Sequence, residues 1–156
     1  MIFFYKSFIL ISLVGMLSSN TSFTIQKEKI HKIEYRQHSG GKGGGFTYIE
    51  INKDSIFFLQ GATRKKTDTL IKKTPLILWQ QLSEVSIKEF ETIESRERTA
   101  PADGTDTTIS INTNIKGYSF VNGKYINSDK ISAFVKVVEN EINNIRTNIY
   151  QSKQLQ

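Results

Sequence analysis

Residues 39–47, Ser-Gly-Gly-Lys-Gly-Gly-Gly-Phe-Thr, hold five of the chain's ten glycines. Successive glycine N–H groups can form a concave nest that binds an anion. Gly43 and Gly44 would supply that backbone, and Arg36 and Lys42 the charge. A second cationic cluster, Arg64-Lys65-Lys66, follows later in the chain. These residues are the candidate contacts for an anionic ligand or a partner. The phosphate-loop reading fails, because no Gly-Lys-Ser/Thr follows the glycines. A dinucleotide fingerprint would need a helix after them, and here strand-forming Phe46-Thr47-Tyr48-Ile49 follows. The loop is therefore expected to serve first as a left-handed or flexible connection between strands, and second as an anion site.

Other chemistry-bearing types are sparse. His31, Glu34 and His38 are ligand types. On a strand, His31 and His38 point to opposite sides. With two histidines and no cysteine, no metal site and no cofactor are expected. Nucleophilic catalysis finds no support, because the chain has no Gly-x-Ser-x-Gly, no Cys and no evident acid to orient a histidine. The carboxylate pairs Glu91/Glu94 and Asp103/Asp106 could do acid–base work. Such pairs more often solvate a helix face or shape a turn. No catalytic residue is assigned. Trp79 lies on an apolar helical stripe and is expected in the core, whereas Tyr48 and Tyr125 are expected at the surface.

The elements that would position these residues follow from periodicity. Residues 29–37 alternate as a strand, with Ile33 and Tyr35 on one face and Lys32, Glu34 and Arg36 on the other. Residues 46–51 and 56–59 form a hairpin across the turn cluster Asn52-Lys53-Asp54-Ser55. Residues 69–71 form a short edge segment among lysines, which discourage strand addition by another chain. Thr74-Pro75 predicts a helix start, with Leu78, Trp79, Leu82 and Val85 inward. The capping-box pattern Ser86-x-x-Glu89 predicts a second short helix. Residues 107–111 and 118–121 form a second hairpin. Ser128 then caps a long helix with Ile131, Phe134, Val135, Val138, Ile142, Ile145 and Ile149 on one face. One-sided strands and one-sided helices need each other. The expected fold is α+β: an antiparallel sheet of about four to five strands, in two hairpins, with helices packed on one face in two layers.

The N-terminus has its own grammar. Lys6 is followed by a mostly apolar stretch at residues 8–17 and by small polar residues at 18–22, the order of a secretory signal peptide. Residues 1–22 are read as the signal, 23–150 as a single α+β domain and 151–156 as a frayed tail. The apolar core is short for a membrane span, so no transmembrane segment is expected after its removal. A periplasmic or extracellular location follows. The absence of cysteine excludes a lipoprotein anchor and a disulfide scaffold.

Net charge is +6, and it is unevenly placed. Residues 23–75 carry eleven Lys and Arg against five Asp and Glu, and residues 76–156 carry nine against ten. A basic first half could meet an anionic small molecule or polymer. Export argues against intracellular nucleic acid as the partner.

The glycine run ending in Phe46-Thr47, Leu78-Trp79-Gln80-Gln81-Leu82, Asp103-Gly104 and the Ile-x-Ile and Tyr-x-Phe strands resemble a family of small exported bacterial proteins. That family shows a Ser-Gly-Gly-Gly-Phe-Thr start, a Trp helix, an Asp-Gly-Ala turn, a strand pair and a C-terminal helix. Here Lys42 interrupts the glycines and Thr105 replaces the alanine. The resemblance spans most of residues 33–145. It implies fold and export, and it carries no established activity. The leading expectation is an exported, non-enzymatic binding or interaction module, inhibitor-like or immunity-like, acting on a protein in the periplasm or outside the cell. The second is a binder of an anionic ligand through the basic half, and the third a hydrolase without a familiar motif.

Overall fold

A computed structural model describes residues 27–41, 43–62, 66–96, 104–123 and 128–155. The elements are β1 (Ile30–Ser39), β2 (Gly45–Asn52), β3 (Ser55–Ala62), β4 (Asp68–Lys73), α1 (Leu76–Ser83), α2 (Ile87–Phe90), β5 (Thr105–Thr113), β6 (Gly117–Val121) and α3 (Asp129–Gln154). The strands form one sheet in the order β4-β3-β2-β1-β5-β6, with every neighbouring pair antiparallel.

The fold is α+β, but the sheet has six strands rather than four to five. The additional strand is β4. The sequence marks it only as a short edge segment at residues 69–71, and it pairs with β3 from Ser55↔Lys73 to Gln60↔Asp68. The glycine run is itself a hairpin loop, so β1 to β4 form a continuous meander and β5 adds to the free side of β1.

Side chains alternate across each strand. Ile33, Tyr35, Ile49, Ile51, Ile56, Phe58, Ile109, Ile111 and Phe120 are buried in one cluster with Leu82, Phe90, Ile131, Phe134, Val138, Ile142 and Ile145 of the helices. A register shift between Ile30 and Lys32 lets Ile30 join this cluster although it is an odd number of residues from Ile33. Phe90 meets Phe134 edge-on at 5.2 Å and locks α2 against α3.

Two local expectations are corrected. Thr74 does not cap α1: it is buried, and its hydroxyl donates to the Asn52 carbonyl at 2.7 Å, while Pro75 occupies the N-cap position. Ser86 holds the N-cap position of α2 without a side-chain cap bond: the Glu89 N–H donates to the Ser86 carbonyl at 3.1 Å, and the Glu89 carboxylate is drawn to Ser128 and, at 3.0 Å, to Lys130. α3 runs to Gln154, where Lys153 pairs with Asp68 of β4 at 2.6 Å. Ser128 does cap α3, accepting from the Ile131 N–H. No helix among the described residues is long and apolar enough to cross a membrane.

Candidate functional site

The glycine turn brings together residues from both ends of the chain. Gly41 has a left-handed φ of 92°, a backbone state that costs L side chains energy. Gly44 donates to the Gly41 carbonyl at 3.0 Å, and Gly40 to the Gly104 carbonyl at 2.9 Å. A Cβ on Gly44 would lie 2.5 Å from the Ser39 carbonyl oxygen, whereas one on Gly43 would meet nothing within 4 Å. Gly44 is therefore required by space, and Gly43 is exposed and unconstrained by neighbours.

Beside this turn, on the helix side of the sheet, lies a recess of about 310 Å³. Its walls include Gln37, Thr47, Gln60, Lys66, Asp68 and Arg146. Arg146 reaches in from α3. Its Nε donates to Gln60 Oε1 at 3.0 Å and its Nη2 to Thr47 Oγ1 at 2.7 Å. Tyr35, buried nearby, has its phenol pushed up chiefly by burial.

Among the described residues no helix packs on the opposite face of the sheet. It presents Lys32, Glu34 and Arg36 from β1, Tyr48 and Glu50 from β2, Phe57 and Leu59 from β3 and Ile71 from β4. Glu34 stands directly across from Glu50, a like-charge pair that would repel. Lys32 bridges them at 2.7 and 3.6 Å, and Arg36 adds a 2.8 Å bond to Glu34. The hydrogen bond from Lys32 holds the Glu34 carboxyl below its ordinary range. Arg36 also lies 5.4 Å from the Tyr48 ring centroid, a cation–π distance. Tyr48 donates to Glu50 at 3.0 Å, and burial together with that bond pushes its phenol up to about 12. Beyond Tyr48 the surface turns apolar: Phe57 is 6.0 Å from the Tyr48 ring, and Ile71 is 70% exposed.

The predicted contacts are thus divided. Arg36 faces the open side of the sheet, away from the recess on the helix side. Gly43 and Gly44 shape the turn, and Lys66 lines the recess. Lys42, Arg64 and Lys65 lie outside the described residues, as do Tyr125 and Asp103. His38 sits in register with Asp106, and the bulge takes His31 out of register with β5. The carboxylate of Asp106 accepts from Asn122 Nδ2 at 2.7 Å, and Glu91 is bonded to Lys116 at 2.5 Å. Among the described residues no group of three His, Cys, Asp or Glu is placed to hold a metal ion. Trp79 packs against the core, half-buried.

Arg146 is the residue that sequence reading passed over. It comes four after Ile142 and three before Ile149, so it interrupts the apolar stripe of α3. Glu141 does the same, three after Val138. A charge on a buried stripe is the sequence signal for both. Compared with protein-family models and with curated proteins, the chain matches none.

Proposed function

We propose that this chain is an exported, non-enzymatic interaction module that meets a protein partner through the sheet face opposite the described helices, in an inhibitor-like or immunity-like role in the periplasm or outside the cell. The observation that supports this reading is the side chains of that face. An apolar strip of Ile71, Phe57 and the Tyr48 ring adjoins a charge cluster whose members already satisfy one another. An aromatic centre with pre-paired charge at its rim suits protein recognition, because partner binding strands no charge. The signal-like N-terminus and the resemblance to small exported proteins support the export part of the proposal.

A photo-crosslinking amino acid at Phe57 or Ile71, compared with one at exposed Asn140 on α3, tests it in the producing cell. A discrete adduct from the sheet positions and none from the helix position is expected. No adduct, or equal adducts from all three, would overturn it.

A second reading is an anionic ligand held through the basic first half. It is favoured by the position of Lys66 in the recess that also contains Arg146. Salt-sensitive retention on an anionic resin, lost when Arg64, Lys65 and Lys66 are changed to Ala, would support it.

A further inference from the structure

We infer that the recess beside the glycine turn is a subsite for a small oxyanion, a carboxylate or phosphate group, anchored by Arg146. This goes beyond the sheet-face reading and does not depend on it, since the recess lies on the other side of the sheet.

The case begins with missing counter-charge. Lys32, Arg36, Lys72, Lys116, Lys130 and Lys153 each hold a carboxylate at 2.5 to 3.0 Å. Among the described residues Arg146 holds the neutral oxygens of Gln60 and Thr47. Among the described residues no carboxylate comes within ion-pair distance of it. Asp68, in the same wall, is engaged by Lys153 at 2.6 Å. A half-buried guanidinium keeps part of its desolvation cost when no anion answers it. An oxyanion entering the recess would supply that charge.

Geometry also favours an anion. The two existing bonds use Nε and one Nη2 hydrogen. Among the described residues no partner takes the edge made by Nη1 and the second Nη2 hydrogen, which suits a bidentate contact. Those same two bonds fix the guanidinium in place before any ligand arrives, which lowers the ordering cost of binding. Lys66, exposed in the same wall, adds a second positive charge. A volume of about 310 Å³ is at the small end of ligand sites and suits a small molecule rather than a polymer.

The test is an NMR titration of the isotope-labelled full chain with acetate, citrate or inorganic phosphate at constant ionic strength, with chloride as the control. Saturable shifts are expected at Thr47, Gln60, Gly61 and the Arg146 Nε–H, with a Kd on the order of 1 mM for the best anion. The ranking of citrate against phosphate separates a carboxylate from a phosphate preference. Arg146→Lys should weaken binding about tenfold, because the planar fork is lost. Lys66→Glu, an exposed change that leaves the fold intact, should weaken it to a similar degree by repulsion. Shifts that are linear in every salt, chloride included, would overturn the inference. So would an unchanged Kd in folded Arg146→Lys or, should that variant not fold, in Lys66→Glu.

Discussion

The Arg146 guanidinium on the last helix donates to the Thr47 hydroxyl on the second strand at 2.7 Å, across 99 positions of chain. Thr47 is itself buried, two residues past the glycine turn. The bond therefore ties the helix layer to the start of the central hairpin, and it sets the floor of the recess. Thr47→Val keeps the shape and removes the acceptor. The variant should lose about 1–2 kcal/mol of stability, as a half-buried charged donor loses a buried partner. Urea unfolding of the two proteins would measure this, and an unchanged midpoint would show that Thr47 merely fills space.

The glycines of the turn should not be equivalent. Gly44→Ala pushes a methyl into the Ser39 carbonyl and must open the turn, at a cost of about 1–3 kcal/mol. Gly43→Ala enters open space and should stay within about 0.5 kcal/mol of wild type. Thermal melts of the two variants side by side would reveal the asymmetry.

Glu141 is a buried carboxylate on α3, and Lys72 of β4 answers it at 2.6 Å. Lys72→Met leaves that charge without its partner and should destabilise the fold by about 2–4 kcal/mol, less than for a fully buried pair because Lys72 is partly exposed. Adding Glu141→Leu should recover most of the loss, since an apolar pair at a core edge can match a salt bridge. Additive losses in the double variant would refute the coupling.

The charge cluster on the open face should register in acid. The Glu34 carboxyl is held below its ordinary value of 4.5, first by the hydrogen bond from Lys32. A carboxyl depressed in the folded state contributes stability above its unfolded value and loses that contribution as pH falls through the folded value. The stability advantage of wild type over Glu34→Gln should therefore be full near neutrality and shrink between about pH 5 and about pH 2. Melting temperatures of both proteins across that range would check it, and a constant difference would argue against the pairing.

Much of the fold was legible because its signals are local. The alternation of Ile33 and Tyr35 with Lys32, Glu34 and Arg36 survived intact, and so did the apolar stripe of α3. The Asn52 turn forms as its residue types imply, with Oδ1 accepting from the N–H groups of Asp54 and Ser55 at 2.9 Å each. β4 was harder to read: at the sheet edge only Leu70 of its residues packs against the core, while Ile71 turns outward. The cap at Thr74 was misread because a tertiary partner, the Asn52 carbonyl, takes its hydroxyl, and the capping box at Ser86 is incomplete because Ser128 takes the Glu89 carboxylate.

What the sequence determined by itself was therefore most of the elements, the face that each of these buries, and a sharp glycine turn in which strand residues precede and follow. Those properties depend on neighbours a few positions apart, where backbone geometry is periodic. Only the tertiary structure decided which residues meet at that turn. Strand order and the crossing of the last helix put Arg36 on the open face and brought Arg146 to the recess. Such encounters depend on register and packing between distant segments, and no local period encodes them.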